Sequence, residues 1–296
     1  MAVNTRESSG FKILVTGSNG QLGSELRSIA SEHPHINFIF TDVAELDITN
    51  SNDLSAFFSK NKPNFVINCA AYTAVDGAED DEKGALLLNF EAPKLVAKIS
   101  KETGAKLIHI STDYVFDGKA WTPYKEDFPT SPNSVYGRSK LLGEQAVLES
   151  GVAMVVRTSW LYSAYGNNFM KTIVRKGTEL RSLRVVFDQV GSPTWANDLA
   201  TALVEIVLKS SKEFAPEIFH YSNEGVCSWY DFAYEIITQQ GIDCKVSPVL
   251  SSEYPTKATR PPFSLLDKTK FKSRFGIHIP QWKDSLHECL KEFSKQ

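Results

Sequence analysis

Short β-branched runs alternate with longer stretches of helical period from Phe11 onward, and few folds accommodate that alternation. Near-continuous apolar strands separated by amphipathic helices read as a parallel sheet covered on both faces. Strands are expected at 11–16, 37–41, 64–69, 106–111 and 153–157, and helices at 21–32, 51–60, 81–104 and 135–150. In the first helix Leu22, Leu26 and Ile29 share one face.

Past Ser159 the rhythm loosens, with a helix expected at 169–176, a strand at 183–187, a helix at 195–209, and then prolines and aromatics in the last third. The predicted organisation is a loose tail at 1–10, a sheet domain over 11–162 to which 183–209 returns, and a smaller discontinuous lobe drawn mainly from 163–296. A chain of 296 residues is long enough for both. With 42% hydrophobic and 23% charged residues and a net charge of −3, there is no electrostatic case for nucleic acid. Cys69, Cys227, Cys244 and Cys289 lie far apart, and the six histidines form no ligand pair, so no metal site or disulfide framework is expected. No stretch approaches the ~20 apolar residues of a membrane span, and residues 1–10 lack the apolar core of a secretory signal. A cytoplasmic protein with reduced thiols is the expectation.

Between the first strand and the first helix stands Thr16-Gly-Ser-Asn-Gly-Gln-Leu-Gly23. Gly17, Gly20 and Gly23 permit a tight turn, close backbone approach to a pyrophosphate and close helix packing. The helix N-terminus adds free amides and a partial positive charge. Strand, glycine turn and helix in that order predict an α/β fold of Rossmann type, a doubly wound parallel sheet binding NAD or NADP, with a smaller mixed α/β substrate-binding lobe. Asp42, closing the second strand, is placed to accept from ribose hydroxyls and to repel a 2′-phosphate, which leans toward NAD; a strand-end turn aspartate is the alternative. Asp47 and Ile48 either flank the adenine or form a turn before a helix, and Ala71, Tyr72 and Thr73 end the third strand beside small residues that let a cofactor pass or simply make a close strand-to-helix junction.

Tyr136 and Lys140 are four residues apart at the start of a helical segment, so both face one way. A cation beside a phenol favours the phenolate and draws its pKa down toward working pH, as general acid–base chemistry needs. Thr112 ends the fourth strand and Trp160 follows the fifth, at the carboxyl edge where open α/β sheets bind ligands.

Together the glycine turn, Ser111-Thr112 and Tyr136-x-x-x-Lys140 resemble the extended short-chain dehydrogenase/reductase family. Within it, the runs at 68–76, 111–118, 157–162, 166–169 and 188–194 resemble the dTDP-4-dehydrorhamnose reductases, from about Phe11 to Leu290. That resemblance implies hydride transfer from NADPH or NADH to C4 of dTDP-4-dehydro-6-deoxy-L-mannose, giving dTDP-L-rhamnose. Tyr136 would be the proton donor, Lys140 would lower its pKa and hold the nicotinamide ribose, and Thr112 would hydrogen-bond near the sugar oxygen or the phenol. Cofactor contacts carried over, beside Gly17, are Gly20, Gln21, Leu22, Asp42, Asp47, Ile48, Ala71, Tyr72 and Thr73, and substrate contacts are Thr112, Asp113, Tyr136 and Trp160. Gln189 and Pro193 match the family run but read equally as a turn joining the lobes. Arg260 is either a partner for the pyrophosphate or a surface arginine before a proline turn.

Some related reductases hold Mg²⁺ between carboxylates at a dimer contact. Glu25 fits one position of that pattern, but Asn197 stands where an acid is expected, so the ion is not supported, a homodimer is left open, and Glu25 reads as a solvated helix residue. The competing readings are a catalytically silent regulatory subunit on the same fold and a related sugar-nucleotide epimerase or dehydratase. Retention of Tyr136, Lys140 and Thr112 favours the reductase, and a single carboxylate in Asp113-Tyr114 argues against elimination.

Overall fold

A computed structural model describes residues 11–209, 214 and 216–295; the tail read at 1–10 lies outside them. Strand β1 (Phe11–Thr16) leads through a glycine turn into α1 (Gln21–Ile29), then β2 (Ile36–Thr41), α2 (Ser51–Asn61) and β3 (Phe65–Asn68). Two short helices, α3 (Val75–Ala78) and α4 (Glu82–Leu86), precede α5 (Ala92–Thr103), β4 (Lys106–Thr112), α6 (Val135–Glu149) and β5 (Ala153–Thr158). Side chains cap the helices where the sequence supplies them: Asn50 accepts from the Asn52 and Asp53 amides, and the Ser134 hydroxyl accepts from the Gly137 amide.

The second part of the chain runs β6 (Leu161–Tyr162), α7 (Phe169–Glu179), β7 (Ser182–Val186), β8 (Val190–Gly191), β9 (Thr194–Trp195), α8 (Ala196–Lys209) and β10 (Ile218–His220). It ends with β11 (Cys227–Ser228), α9 (Trp229–Gln239), β12 (Lys245–Val249), α10 (Thr269–Phe275) and α11 (Trp282–Phe293). No helix among the described residues is long and apolar enough to cross a membrane.

The main sheet has six strands in the order β10-β5-β4-β3-β1-β2, every pair parallel. Period-two alternation sends Ile13 and Val15 to one face, against Leu26 of α1, Leu199 and Leu203 of α8 and Phe271 of α10. Leu14, Val66 and Leu107 meet Phe58 of α2 and Val96 of α5 on the other. Both faces are covered, which is why the strands read as unbroken apolar runs; each such side chain contributes about 1.5–3 kcal/mol on burial. The switch point lies between β1 and β3, because the chain leaves β1 for β2 and then crosses back.

The strand read at 183–187 does not rejoin this sheet. As β7 it pairs with β12 in a separate two-stranded sheet, while α8 alone returns and packs against α1. The edge beside β5 is taken by β10, a three-residue strand too short to carry a pattern. A second core, with Tyr162, Met170, Phe232, Ile236, Trp282 and Leu286, holds α7, α9 and α11 together.

The helix expected at 81–104 is interrupted by a π-helical turn over Leu87–Glu91. Pro93 has no N–H, so the Asn89 carbonyl is denied its i+4 partner. That carbonyl instead lies against Gly143 of α6, where a Cβ would stand 2.0 Å from the Asn89 oxygen. Gly143→Ala should therefore lower stability by about 2 kcal/mol, the cost of overpacking exceeding the ~1 kcal/mol gained in helix propensity. Denaturant unfolding measures it, and an equal or higher midpoint would contradict the contact.

Candidate active site

The glycine turn faces the switch point. Gly17 has φ +64°, and a Cβ there would lie 2.6 Å from the Ala70 nitrogen at the end of β3; one at Gly23 would lie 2.4 Å from the Ser18 Cα. Only glycine permits both approaches. Gly20 caps α1 without a side-chain hydrogen bond, leaving the first amides of the helix to an incoming anion. The turn forms one end of a cleft of about 820 Å3 that runs along the carboxyl edge of the sheet.

Gln21, Leu22, Asp42, Asp47, Ile48, Ala71 and Thr73 line that cleft with Gly17 and Gly20. Asp42 accepts the Asn19 and Val43 amides at 2.9 Å each, so its carboxylate is braced beside the glycine turn. Asp47 accepts the Thr49 hydroxyl at 2.7 Å and the Thr49 amide at 2.9 Å, which hold its pKa below the usual carboxylate value. Tyr72 is absent from the lining: Asn89 brackets its backbone, accepting its N–H at 2.9 Å and donating to its carbonyl at 3.1 Å, and the ring packs beside Val135 and Tyr136. A glycine turn at an uncapped helix N-terminus, with a braced carboxylate beside it, fits a dinucleotide.

At the other end Tyr136, Lys140, Thr112 and Asp113 converge. The Thr112 hydroxyl donates to Asp113 Oδ1 at 3.0 Å and accepts the Tyr114 amide at 3.2 Å, and the Tyr136 phenol lines the same end of the cleft. The Tyr114 ring sits edge-on to Tyr136 at 5.5 Å. Burial raises the Asp113 carboxyl to about 6, opposed by its hydrogen bonds. Lys140 is buried, donates to the Ile110 carbonyl at 2.7 Å, and is lowered by burial to about 8. Near pH 7, then, Asp113 is mostly ionised and Lys140 mostly protonated. The expected depression of the phenol by Lys140 is not found: burial raises Tyr136 above its usual value, with Thr112 opposing. Residue spacing placed the two groups on one face, but desolvation decides the charge.

Trp160 is one of two non-glycine residues with positive φ among the described residues, at +49°. Such a conformation costs about 1–3 kcal/mol and must be held by its surroundings. The indole stacks on Trp229 with ring centroids 3.7 Å apart and planes 10° from parallel, and a Cβ on Gly191 would come within 3.0 Å of it. Trp160, packed against the second core, lines the cleft. Across from it Asn168 donates to Gln21 Oε1 at 2.9 Å, tying the start of α7 to that of α1.

A family model for the RmlD substrate binding domain matches residues 11–295. This chain belongs to the dTDP-4-dehydrorhamnose reductase (RmlD) family. The solved dTDP-4-dehydrorhamnose reductase of Clostridium acetobutylicum is 42% identical, with a TM-score of 0.91, 96% of this chain and 100% of that one covered. That of Bacillus anthracis, solved in complex with NADP, is 37% identical with a TM-score of 0.90 over 96% of this chain and 99% of its own. A probable dTDP-4,6-dihydroxy-2-methyloxan-3-one 4-ketoreductase of Streptomyces antibioticus is 38% identical, covering 94% of each chain. The family is one of nicotinamide-dependent sugar-nucleotide oxidoreductases on the extended short-chain dehydrogenase/reductase fold.

Against that family pattern, several sequence expectations need revision. Glu25 is not solvated: it is fully buried between α1 and α8, accepts the Ser163 hydroxyl at 2.6 Å and the Asn197 amide at 3.1 Å, and is raised by burial. Asn197, standing where the metal-binding pattern has an acid, thus donates to that carboxylate instead. A carboxylate with both oxygens engaged inside its own chain does not fit the Mg²⁺ of some relatives. Arg260 lies outside the cleft lining, bonding Asp76 at 2.6 Å and the Tyr114 hydroxyl at 3.0 Å. Gln189 donates to Ser251, and Pro193 is buried between β8 and β9.

Sequence reasoning passed over three supports. Asn89 joins the Tyr72 backbone to Ser139 of α6, and Trp229 carries Trp160. Glu144, four residues past Lys140, sits in a buried pair with Arg157. The spacing to Glu144 was legible; its partners were not.

Proposed function

We propose that the chain reduces the C4 keto group of dTDP-4-dehydro-6-deoxy-L-mannose to give dTDP-L-rhamnose, with NADPH or NADH as reductant. The convergence of Tyr136, Thr112 and Asp113 at the far end of one cleft from the glycine cradle carries this reading. Bound reduced nicotinamide would supply the hydride. Gly17, Gly20, Gln21, Leu22, Asp42, Asp47, Ile48, Ala71 and Thr73 would hold that cofactor along the sheet edge, with Lys140 at its ribose.

Charge develops on one oxygen as a ketone is reduced, and a donor already in place there costs little reorganisation. A phenol kept protonated by burial holds a proton ready for the alkoxide that develops. Thr112 would orient that phenol, Asp113 would accept from a sugar hydroxyl, and Trp160 would wall the sugar from the second lobe. Cytoplasmic placement belongs to the same reading.

A second substrate is favoured by the Streptomyces antibioticus relative, whose named substrate is another dTDP-linked ketone. Reduced-nicotinamide oxidation at 340 nm, with each dTDP-4-keto sugar made enzymatically in situ, separates the two. Turnover with the 4-dehydrorhamnose compound at kcat/KM of about 10⁴ M⁻¹s⁻¹ or more is expected. No oxidation of either reduced cofactor with any of these ketones would sink the proposal.

A further inference from the structure

Two neighbouring residues at the end of β4 meet two residues one turn apart on α6. The Ile110 carbonyl accepts from Lys140 at 2.7 Å, and the Ser111 hydroxyl donates to Glu144 Oε1 at 2.5 Å. Glu144 is also gripped from β5, where Arg157 stands opposite Ser111 in register. The guanidinium donates through Nε to Oε1 at 2.9 Å and through Nη2 to Oε2 at 2.7 Å, a bidentate pair. Side-chain exposure is 2% for Arg157 and 1% for Glu144. The guanidinium further lies over the Phe116 ring at 5.1 Å.

A buried ion pair is weak evidence for stability, since apolar residues of similar volume often serve as well. Its presence one turn from a buried ammonium points to another use. We propose that Glu144, anchored by Arg157 and Ser111, is a positioning residue that fixes α6 against β4 where Lys140 meets the Ile110 carbonyl.

The groups facing Lys140 are few. Cys69 from the end of β3 is pushed up by burial and stays a neutral thiol, and His109 of β4 is pushed well below its usual value and stays neutral. On α6 the Tyr136 phenol is likewise neutral. Beyond Arg157, His220 of β10 is lowered to about 3, by burial first and by that arginine second. Burial lowers Lys140, and the Glu144 carboxylate is the strongest influence opposing it. Removing that carboxylate should therefore let Lys140 lose its proton at lower pH.

The inference rests on the reductase reading only for its effect on turnover, so the primary test does not use turnover. The Cε resonance of Lys140 in 13C-lysine-labelled protein, assigned by its loss in Lys140→Arg, reports the ammonium directly. Glu144→Gln is expected to lower the Lys140 midpoint by about one pH unit. Should the unpaired Arg157 unfold that variant, Glu144→Gln/Arg157→Met removes both charges and is expected to shift the midpoint the same way by a smaller amount. Circular dichroism identifies the folded variant. An unchanged midpoint in a folded variant overturns the proposal. In the assay, the alkaline limb of kcat/KM should move down with the resonance, giving about tenfold less activity above it. A shifted resonance in a native protein that reduces no keto sugar would sink the reductase and leave the role of Glu144 standing.

Discussion

Tyr136→Phe is expected to lower kcat about 100-fold or more while leaving reduced-cofactor affinity within about twofold. The substitution removes one oxygen and keeps the ring, so the edge-on contact with Tyr114 at 5.5 Å and the packing with Val135 survive. Thr112 keeps its bonds to Asp113 and the Tyr114 amide, so no buried hydroxyl is stranded. Because the apolar cost is small, a fall in kcat reports the missing proton donor. Steady-state kinetics with the 4-keto sugar and a fluorescence titration of the reduced cofactor together make the measurement. Undiminished kcat would assign the proton to another group, and a matching collapse of cofactor affinity would make Tyr136 a binding residue instead.

Gly17→Ala should abolish cofactor binding, with the dissociation constant raised about 100-fold or more and the melting temperature lowered. Two penalties act together. The residue sits at φ +64°, which costs an alanine about 1–2 kcal/mol. Its Cβ would also meet the Ala70 nitrogen at 2.6 Å and the Cys69 carbonyl carbon at 3.0 Å, both backbone atoms that cannot rotate away. Relief requires the turn to lift off β3, which moves the α1 amides from the position where a pyrophosphate would meet them. Calorimetric titration with NADPH and NADH tests it, with Gly151→Ala as comparison: that glycine also has positive φ, but a Cβ there meets nothing within 4 Å. Equal losses in both variants would trace the effect to backbone strain rather than to the cradle.

Features that depend on neighbours in the chain were legible. Strand and helix periods lie within a dozen residues, so the five long strands and the flanking helices were read to within a residue or two at most ends, and the glycine turn was found between the first strand and helix. Tyr136 and Lys140 share a face because helical spacing dictates it, and Thr112 and Trp160 fell at the carboxyl edge because strand ends were visible. Even a break in the helix over 81–104 had a local sign, the proline at 93, although an apolar period running through it masked the π-helical turn.

What remained hidden was decided between distant segments. Nothing near Glu25 announces that Ser163 and Asn197 will enclose it, and the same carboxylate read as solvated until α8 was laid on α1. A single short strand, β10, took the sheet edge and left β7 to pair with β12. Trp160 needed Trp229 to hold its backbone at positive φ, and Arg260 found Asp76 and Tyr114. The charge states were settled last, because desolvation depends on everything packed around a group: burial raised the Tyr136 phenol that residue spacing alone had expected Lys140 to lower. Sequence by itself determined the sheet, the glycine turn and the candidate groups of the site, since period, turn and spacing are local properties of a chain. Tertiary structure decided which of those groups meet, what braces them and which carry charge, since contact and burial belong to the folded whole.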